Sequence, residues 1–109
     1  NEALNVTRRI FLTMNQEVRR TGAQFILIFL PDKGDVVRYR GDPRYKKKWE
    51  SMVRFAGASG LLSVDLMPEF LTIPAKDFDA GYDGSHFGAK TNLWLARFIE
   101  KRLKGLGII

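Results

Sequence analysis

The only histidine of the chain, His86, stands three residues after Asp83 in the segment GYDGSHFGAKTNLWLARF, residues 81–98. An imidazole acts as a general base for acyl transfer when one ring nitrogen faces a nucleophile and a carboxylate holds the N–H of the other. A tight turn eased by Gly84 would let the two side chains meet, and the carboxylate would favour the imidazolium formed during the reaction. The spacing alone also suits a polar turn that begins a helix, so both interpretations stay open.

Other catalytic and ligand-binding patterns fit the sequence poorly. An EF-hand counted from Asp77 would need its bidentate glutamate where Gly88 stands, and a zinc site is disfavoured by one histidine and no cysteine. The segments after the apolar runs, LPDKGD and LMPEF, lack the glycines of a phosphate-binding loop. GASG (57–60) lacks the spacing of a nucleophile elbow, and Ser85 would point away from the adjacent imidazole. We therefore predict no metal, no cofactor and no nucleophile within the chain.

Length and composition predict one compact domain. The 109 residues, 45% of them apolar, can support one core and hardly two. The chain begins with Asn and at once has the pattern of a helix, so we expect it to be part of a longer protein. Its longest apolar run, FILIFL, is far shorter than the roughly 20 residues that span a bilayer. No membrane contact is expected from this segment.

Hydrophobic periodicity predicts the order α-β-α-β-α. Leu4, Thr7, Phe11, Met14 and Val18 recur at helical spacing, and AQFILIFLP is typical of a strand covered on both faces. Strand, helix and strand in succession indicate a parallel βαβ unit, and the long loop before His86 is of a length that is often functional. The predicted elements are a helix over 2–21, a strand over 23–31, a loop over 32–42, a helix over 43–58, a strand over 61–66, a loop over 67–86 and a helix over 88–104.

Two parallel strands are too few for an independent sheet with covered faces. We therefore expect further strands upstream of the chain. Where they are missing, the open edge beside strand 24–30 should be covered by a second copy, through edge pairing or helix exchange. Crossover handedness should place the first two helices on one face of the sheet and the last helix on the other.

A formal net charge of +6 raises the alternative of a basic binding module. Arginine and lysine interleave with three aromatic residues in RYRGDPRYKKKWESMVR (38–54), a composition that suits phosphate neutralisation and base stacking. However, Asp42 and Pro43 are typical of a helix start, and the apolar residues that follow recur at helical spacing. The favoured interpretation is a solvated basic helix face with no nucleic-acid partner.

The order of elements and the D-x-x-H motif resemble the C-terminal part of the SGNH, or GDSL-type, esterase and lipase family. YDGSHFGAKTNLWLARFIEKRL is similar to the family's last conserved segment, with Asp83 and His86 at the motif positions. FILIFLP and LLSVDLMPEF are similar to the strands that precede it, whereas Thr91 stands where glycine is frequent. The resemblance implies that residues 1–109 are the C-terminal part of a single domain, a fragment of a flavodoxin-like three-layer α/β/α sandwich with parallel strands.

The resemblance also implies a function in ester hydrolysis. A serine would attack an ester carbonyl, His86 would take and return the proton, and Asp83 would hold His86. The family's G-D-S serine and its glycine and asparagine oxyanion donors have no counterpart in these 109 residues, so the chain alone is expected to be inactive. Expected substrates are ester-bearing small molecules or acylated carbohydrates, and an acyl (acetyl) transferase of the same fold is the alternative. The family favours an extracytoplasmic location, either periplasmic or secreted.

Overall fold

The computed structural model describes residues 2–79 and 86–109 as a mixed α/β chain that is mainly helical. The α/β prediction is thus confirmed, but the strict α-β-α-β-α alternation is not observed because additional helices follow each strand. None of the helices in the described ranges is long and apolar enough to cross a bilayer. The elements are α1 (Glu2–Arg20), β1 (Ile26–Phe29), α2 (Lys33–Gly41), α3 (Pro43–Ala58), β2 (Leu62–Asp65), α4 (Met67–Leu71), a 3-10 helix (Ala75–Asp77) and α5 (Ala89–Gly105).

The two strands pair in parallel, as predicted, with a register that runs from Ile26 opposite Leu62 to Phe29 opposite Asp65. Each has four residues, fewer than predicted, and every residue of β1 is only half-buried. Both faces of this strand are therefore covered only in part in the described chain. Within residues 2–79 and 86–109 the sheet contains these two strands only, so each strand has one edge without a partner strand there.

Helix α2 occupies a segment predicted to be a loop. Asp32 caps it: the Asp35 N–H donates to the Asp32 carboxylate at 2.7 Å, and the Asp32 N–H donates to the Asp35 carboxylate at 2.9 Å. This reciprocal capping box satisfies two amides that a helix start otherwise leaves unpaired. The helix has little apolar periodicity, and Val36 is its one buried residue. Its cap, rather than a hydrophobic stripe, therefore marks where it begins.

Helix α3 confirms the predicted helix from Pro43 to Ala58. Asp42 accepts a hydrogen bond from the Arg44 N–H at 2.9 Å, and Pro43 lies in the first turn, where its missing N–H costs nothing. The Trp49 indole N–H donates to the Asp65 carboxylate at 3.0 Å, and its ring meets Phe29 edge-on at 6.3 Å. Through these two contacts α3 packs against Phe29 and Asp65, the last residues of the two strands.

Helix α1 turns most of its predicted apolar stripe towards the rest of the chain. Half-buried residues recur along it at helical spacing, and the Arg8 guanidinium lies 5.0 Å above the Phe55 ring of α3. Met14, predicted to belong to this stripe, is instead 48% exposed beside the exposed Val6 and Ile10. Met14 follows Phe11 by three residues, which is less than the roughly 3.6 residues of a full turn. Its side chain therefore lies at the edge of the inward stripe.

The core is centred on Phe70 of α4, which is fully buried. Its ring stacks on Phe78 at 5.7 Å and on Phe87 at 5.5 Å, and it meets Phe98 of α5 edge-on at 5.7 Å. Most of 67–78 is therefore packed structure, in contrast to the long loop that the sequence predicted. Because Phe78 and Phe87 both stack on Phe70, the residues just before and just after the D-x-x-H segment lie close together.

Replacing Phe70 with alanine should lower the free energy of unfolding by about 3–5 kcal/mol, because it removes a buried ring that three other rings contact. Urea denaturation of the two proteins measures this. As a control, Val37→Ala on α2 removes a side chain that is 51% exposed and should change the free energy by no more than about 0.5 kcal/mol. Equal losses for the two variants would show that Phe70 is not the centre of the core.

Candidate functional site

His86 lies on the surface beside the end of β1. Together with Leu30, Pro31, Asp32 and Phe87 it lines a hollow of about 320 Å³. Since β1 ends at Phe29, this hollow is at the carboxyl-terminal edge of the parallel sheet, where open α/β sheets bind their ligands. The structure thus places the predicted general base at the edge where chemistry is expected.

The predicted partner of His86 is not among the described residues. Asp83 lies outside the ranges 2–79 and 86–109, as does Ser85. The pairing of Asp83 with His86 therefore stays a prediction.

The start of helix α5, which follows His86, is capped by a residue that precedes His86 in the chain. Its N-cap residue is Gly88, which has no side chain to accept a hydrogen bond. The carboxylate of Asp79 does so instead, accepting from the Lys90 N–H at 3.0 Å and from the Thr91 N–H at 2.7 Å. The Asp79 backbone carbonyl also accepts from the Gly88 N–H at 3.3 Å. The capping function expected of a polar turn here is thus supplied by Asp79.

Thr91 completes this contact from inside the protein. Its side chain is fully buried, and its hydroxyl donates to the Asp79 carboxylate and accepts from the Asp79 N–H at 3.2 Å. The Thr91 hydroxyl, followed by the N–H groups of Thr91 and Lys90, lowers the pKa of Asp79 below its ordinary value against the opposing effect of burial. No periodic pattern in the sequence predicts this pair, although a glycine at the N-cap of a helix does indicate that another residue caps it.

The carboxylate of Asp32 borders the hollow on the side of α2. The capping box holds Asp32, and Asp35 in turn accepts from the Tyr45 hydroxyl and pairs with Arg38 at 3.3 Å. Burial opposes the ionisation of Asp35, but hydrogen bonds from Tyr45, the Asp32 N–H and Arg38 outweigh it and lower the pKa of Asp35. Burial, and to a smaller extent the hydrogen bond to Asp35, raises the pKa of Tyr45 to about 12. Tyr45 therefore serves as a neutral donor that joins α3 to the base of α2.

The basic helix α3 turns its aromatic side chains inward. Tyr45 and Trp49 donate to the carboxylates of Asp35 and Asp65, and the Lys46 ammonium lies 5.6 Å from the centre of the Tyr39 ring. All three aromatic residues are half-buried, whereas Lys46, Lys47 and Lys48 are exposed. This arrangement favours a solvated basic face, because the rings that would stack on bases are engaged within the protein.

The described serines lie away from His86. Ser59 ends α3 and precedes β2, so the whole four-residue strand, roughly 13 Å long, separates it from the carboxyl edge. Ser51 lies in the middle of α3 and Ser63 within β2, and the lining of the His86 hollow includes neither. In the part of the chain that the structure describes, no group of three His, Cys, Asp or Glu side chains could hold a metal ion.

Comparisons with family models, with curated proteins and with solved structures gave no match to this chain. The resemblance to SGNH hydrolases therefore stays a prediction from the residues.

The stabilising contribution of Asp79 should depend on pH. Because the folded state lowers the pKa of Asp79, this contribution is complete above about pH 5 and is lost as the pH falls through the depressed folded-state pKa. The difference in urea midpoint between the wild type and Asp79→Asn should thus be largest near neutral pH and shrink towards about pH 3.

Glu17→Gln provides the control for this pH series. It removes an exposed carboxylate that pairs with Arg20 at 3.2 Å, and such pairs contribute little to stability. A difference between the wild type and Asp79→Asn that stays constant with pH would contradict the role given to the Asp79 carboxylate.

Proposed function

We propose that this chain is the C-terminal part of an SGNH, or GDSL-type, hydrolase domain and supplies Asp83 and His86 to a Ser-His-Asp triad. The nucleophilic serine would lie upstream of Asn1 in a longer protein. The observation that carries this proposal is the place of His86, exposed at the carboxyl-terminal edge of the parallel sheet and beside a hollow. A base at that edge can be reached by a serine that follows another strand of the same sheet.

The cap of α5 weakens the competing interpretation. If the D-x-x-H segment were only a helix-capping turn, its side chains would be needed by the first amides of α5. The N–H groups of Lys90 and Thr91 already donate to Asp79, and the Asn92 N–H donates to the Gly88 carbonyl within the helix. The acceptors of these three amides are thus Asp79 and Gly88, and the His86 imidazole is not one of them.

The packing of the strands supports the finer prediction of a three-layer sandwich. Successive side chains of a strand point to opposite faces, so Phe29 and Asp65, which contact Trp49 of α3, lie on one face. Ile28 and Val64 lie on the other face, within the core that includes Phe70 and side chains of α5. In this proposal upstream strands extend the sheet at an edge that has no partner strand in the described chain.

The proposed reaction has two acyl-transfer steps. The serine oxygen bonds to the ester carbonyl carbon while His86 takes the serine proton, and the intermediate collapses when His86 returns that proton to the departing alcohol. Leu30, which is 45% exposed, and Phe87 offer an apolar wall to the substrate. Water as the second acceptor completes ester hydrolysis, whereas a sugar hydroxyl gives acyl transfer. Product analysis on an acylated carbohydrate distinguishes these two outcomes.

In the full-length protein, His86→Ala should lower kcat/KM towards p-nitrophenyl acetate by about 100–10,000-fold, the usual contribution of a general base. The fold should persist because His86 is exposed, which circular dichroism checks. Asp83→Asn should also impair the reaction, because an amide favours the wrong imidazole tautomer. Wild-type kcat/KM in His86→Ala would refute the triad.

A serine-directed phosphonate should label the full-length protein upstream of Asn1, since none of the described serines lies in the His86 hollow. Peptide mapping by mass spectrometry locates the label. His86→Ala should suppress labelling, because the serine then lacks its base. A label on Ser51, Ser59, Ser63 or Ser85 would contradict the prediction that the nucleophile lies outside this chain.

A further inference from the structure

We infer that Asp79 and the buried Thr91 form a lock that positions His86 for catalysis. The inference rests on the proposed function, because it assigns these two residues a part in the work of its general base. In this lock, the Thr91 hydroxyl and the N–H groups of Lys90 and Thr91 hold the carboxylate of Asp79. Neither residue lines the hollow, so both act through the chain that carries His86.

The lock closes the base of the segment that contains His86. Asp79 immediately precedes residues 80–87, and Gly88, Lys90 and Thr91 follow them. The backbone N–H groups of all three donate to Asp79, that of Gly88 to its carbonyl and those of Lys90 and Thr91 to its carboxylate. The donor–acceptor distances run from 2.7 to 3.3 Å. The two ends of the segment are thus fixed to each other and to the start of a helix of 17 residues.

Contacts next to His86 carry this constraint to the imidazole. The Phe87 ring stacks on Phe70 and on Phe78, at 5.5 and 6.1 Å, and the Phe87 carbonyl accepts a hydrogen bond from the Asn92 side chain at 3.3 Å. Both the ring and the carbonyl of the residue after His86 are therefore held. Fixing the backbone on this side limits where the imidazole can swing at the mouth of the hollow.

A capping role alone does not require this arrangement. A serine, threonine, aspartate or asparagine at position 88 would cap α5 locally, at the position where such residues are strongly preferred. The chain instead has Gly88 there and takes its acceptor from nine positions upstream, across the segment that bears His86. The buried Thr91 hydroxyl adds a bond that a helix cap does not need. Both features hold Asp79 against the start of α5 as well as capping the helix.

The test compares Thr91→Val with Thr91→Ser in the full-length protein. Valine keeps the buried volume but loses the hydroxyl, whereas serine keeps the hydroxyl that contacts Asp79. With p-nitrophenyl acetate, Thr91→Val should lower kcat by about ten- to a hundredfold and change KM by less than about twofold, as expected when a catalytic group is misplaced by an ångström or less. Thr91→Ser should restore kcat to within about threefold of the wild type.

Two further measurements separate positioning from stability and from the proposed function. Asp42→Ala removes the cap of α3, away from the hollow, and should lower the melting temperature without lowering kcat. Amide hydrogen exchange at Phe87 and Gly88 should be faster in Thr91→Val than in Thr91→Ser. A Thr91→Val protein with wild-type kcat and unchanged exchange, beside an inactive His86→Ala, would overturn the lock and keep the triad. Full activity in His86→Ala would overturn both.

Discussion

The described fold depends on the burial of one aromatic ring. Phe70 lies on a helix of only five residues, which would be marginal alone, and gains its stability from the rings of Phe78, Phe87 and Phe98 around it. Those three rings come from the segments before and after His86 and from α5. A single buried side chain thus determines how close the two flanks of the D-x-x-H segment come, and the hydrogen bonds of Asp79 refine that approach. Packing brings the flanks together, and directional polar contacts set their register.

The carboxyl edge of the sheet is organised by aspartates. Asp65 ends β2 and accepts from both the Trp49 indole and the Met67 N–H, so one carboxylate joins the strand to α3 and begins α4. Asp32 caps α2 just after β1, and Asp79 caps α5. Each carboxylate meets amide donors at or near a helix start, where the helix dipole also favours negative charge. Asp32 and His86 both line the hollow at this edge, so the cap of α2 also borders the candidate site.

The sequence predicted the elements whose signals are local. Helices α1, α3 and α5 appear where periodicity and caps place them, and both strands appear as shorter versions of the apolar runs. Helix α2 was missed because its apolar residues have no helical period and its capping box uses Asp35 where glutamate or glutamine is usual. Much of 67–78 was expected to be loop, since a five-residue helix leaves almost no periodic pattern. The contact of Asp79 with Thr91 was not predicted, because it joins residues twelve apart with no shared local pattern.

The contact of Asp79 with Thr91 bears on the two interpretations of the D-x-x-H motif. A polar turn before a helix can be a cap or half of a catalytic apparatus, and spacing cannot separate the two. In the structure the cap belongs to Asp79, whose carboxylate takes the amides of Lys90 and Thr91, while His86 lies exposed beside Leu30 and Asp32. A general base must reach its substrate, and the residues that hold it work best where water does not compete for their hydrogen bonds. Asp79 and the buried Thr91 therefore form the cap, whereas His86 lies exposed at the hollow, an arrangement that is compatible with the proposed general base.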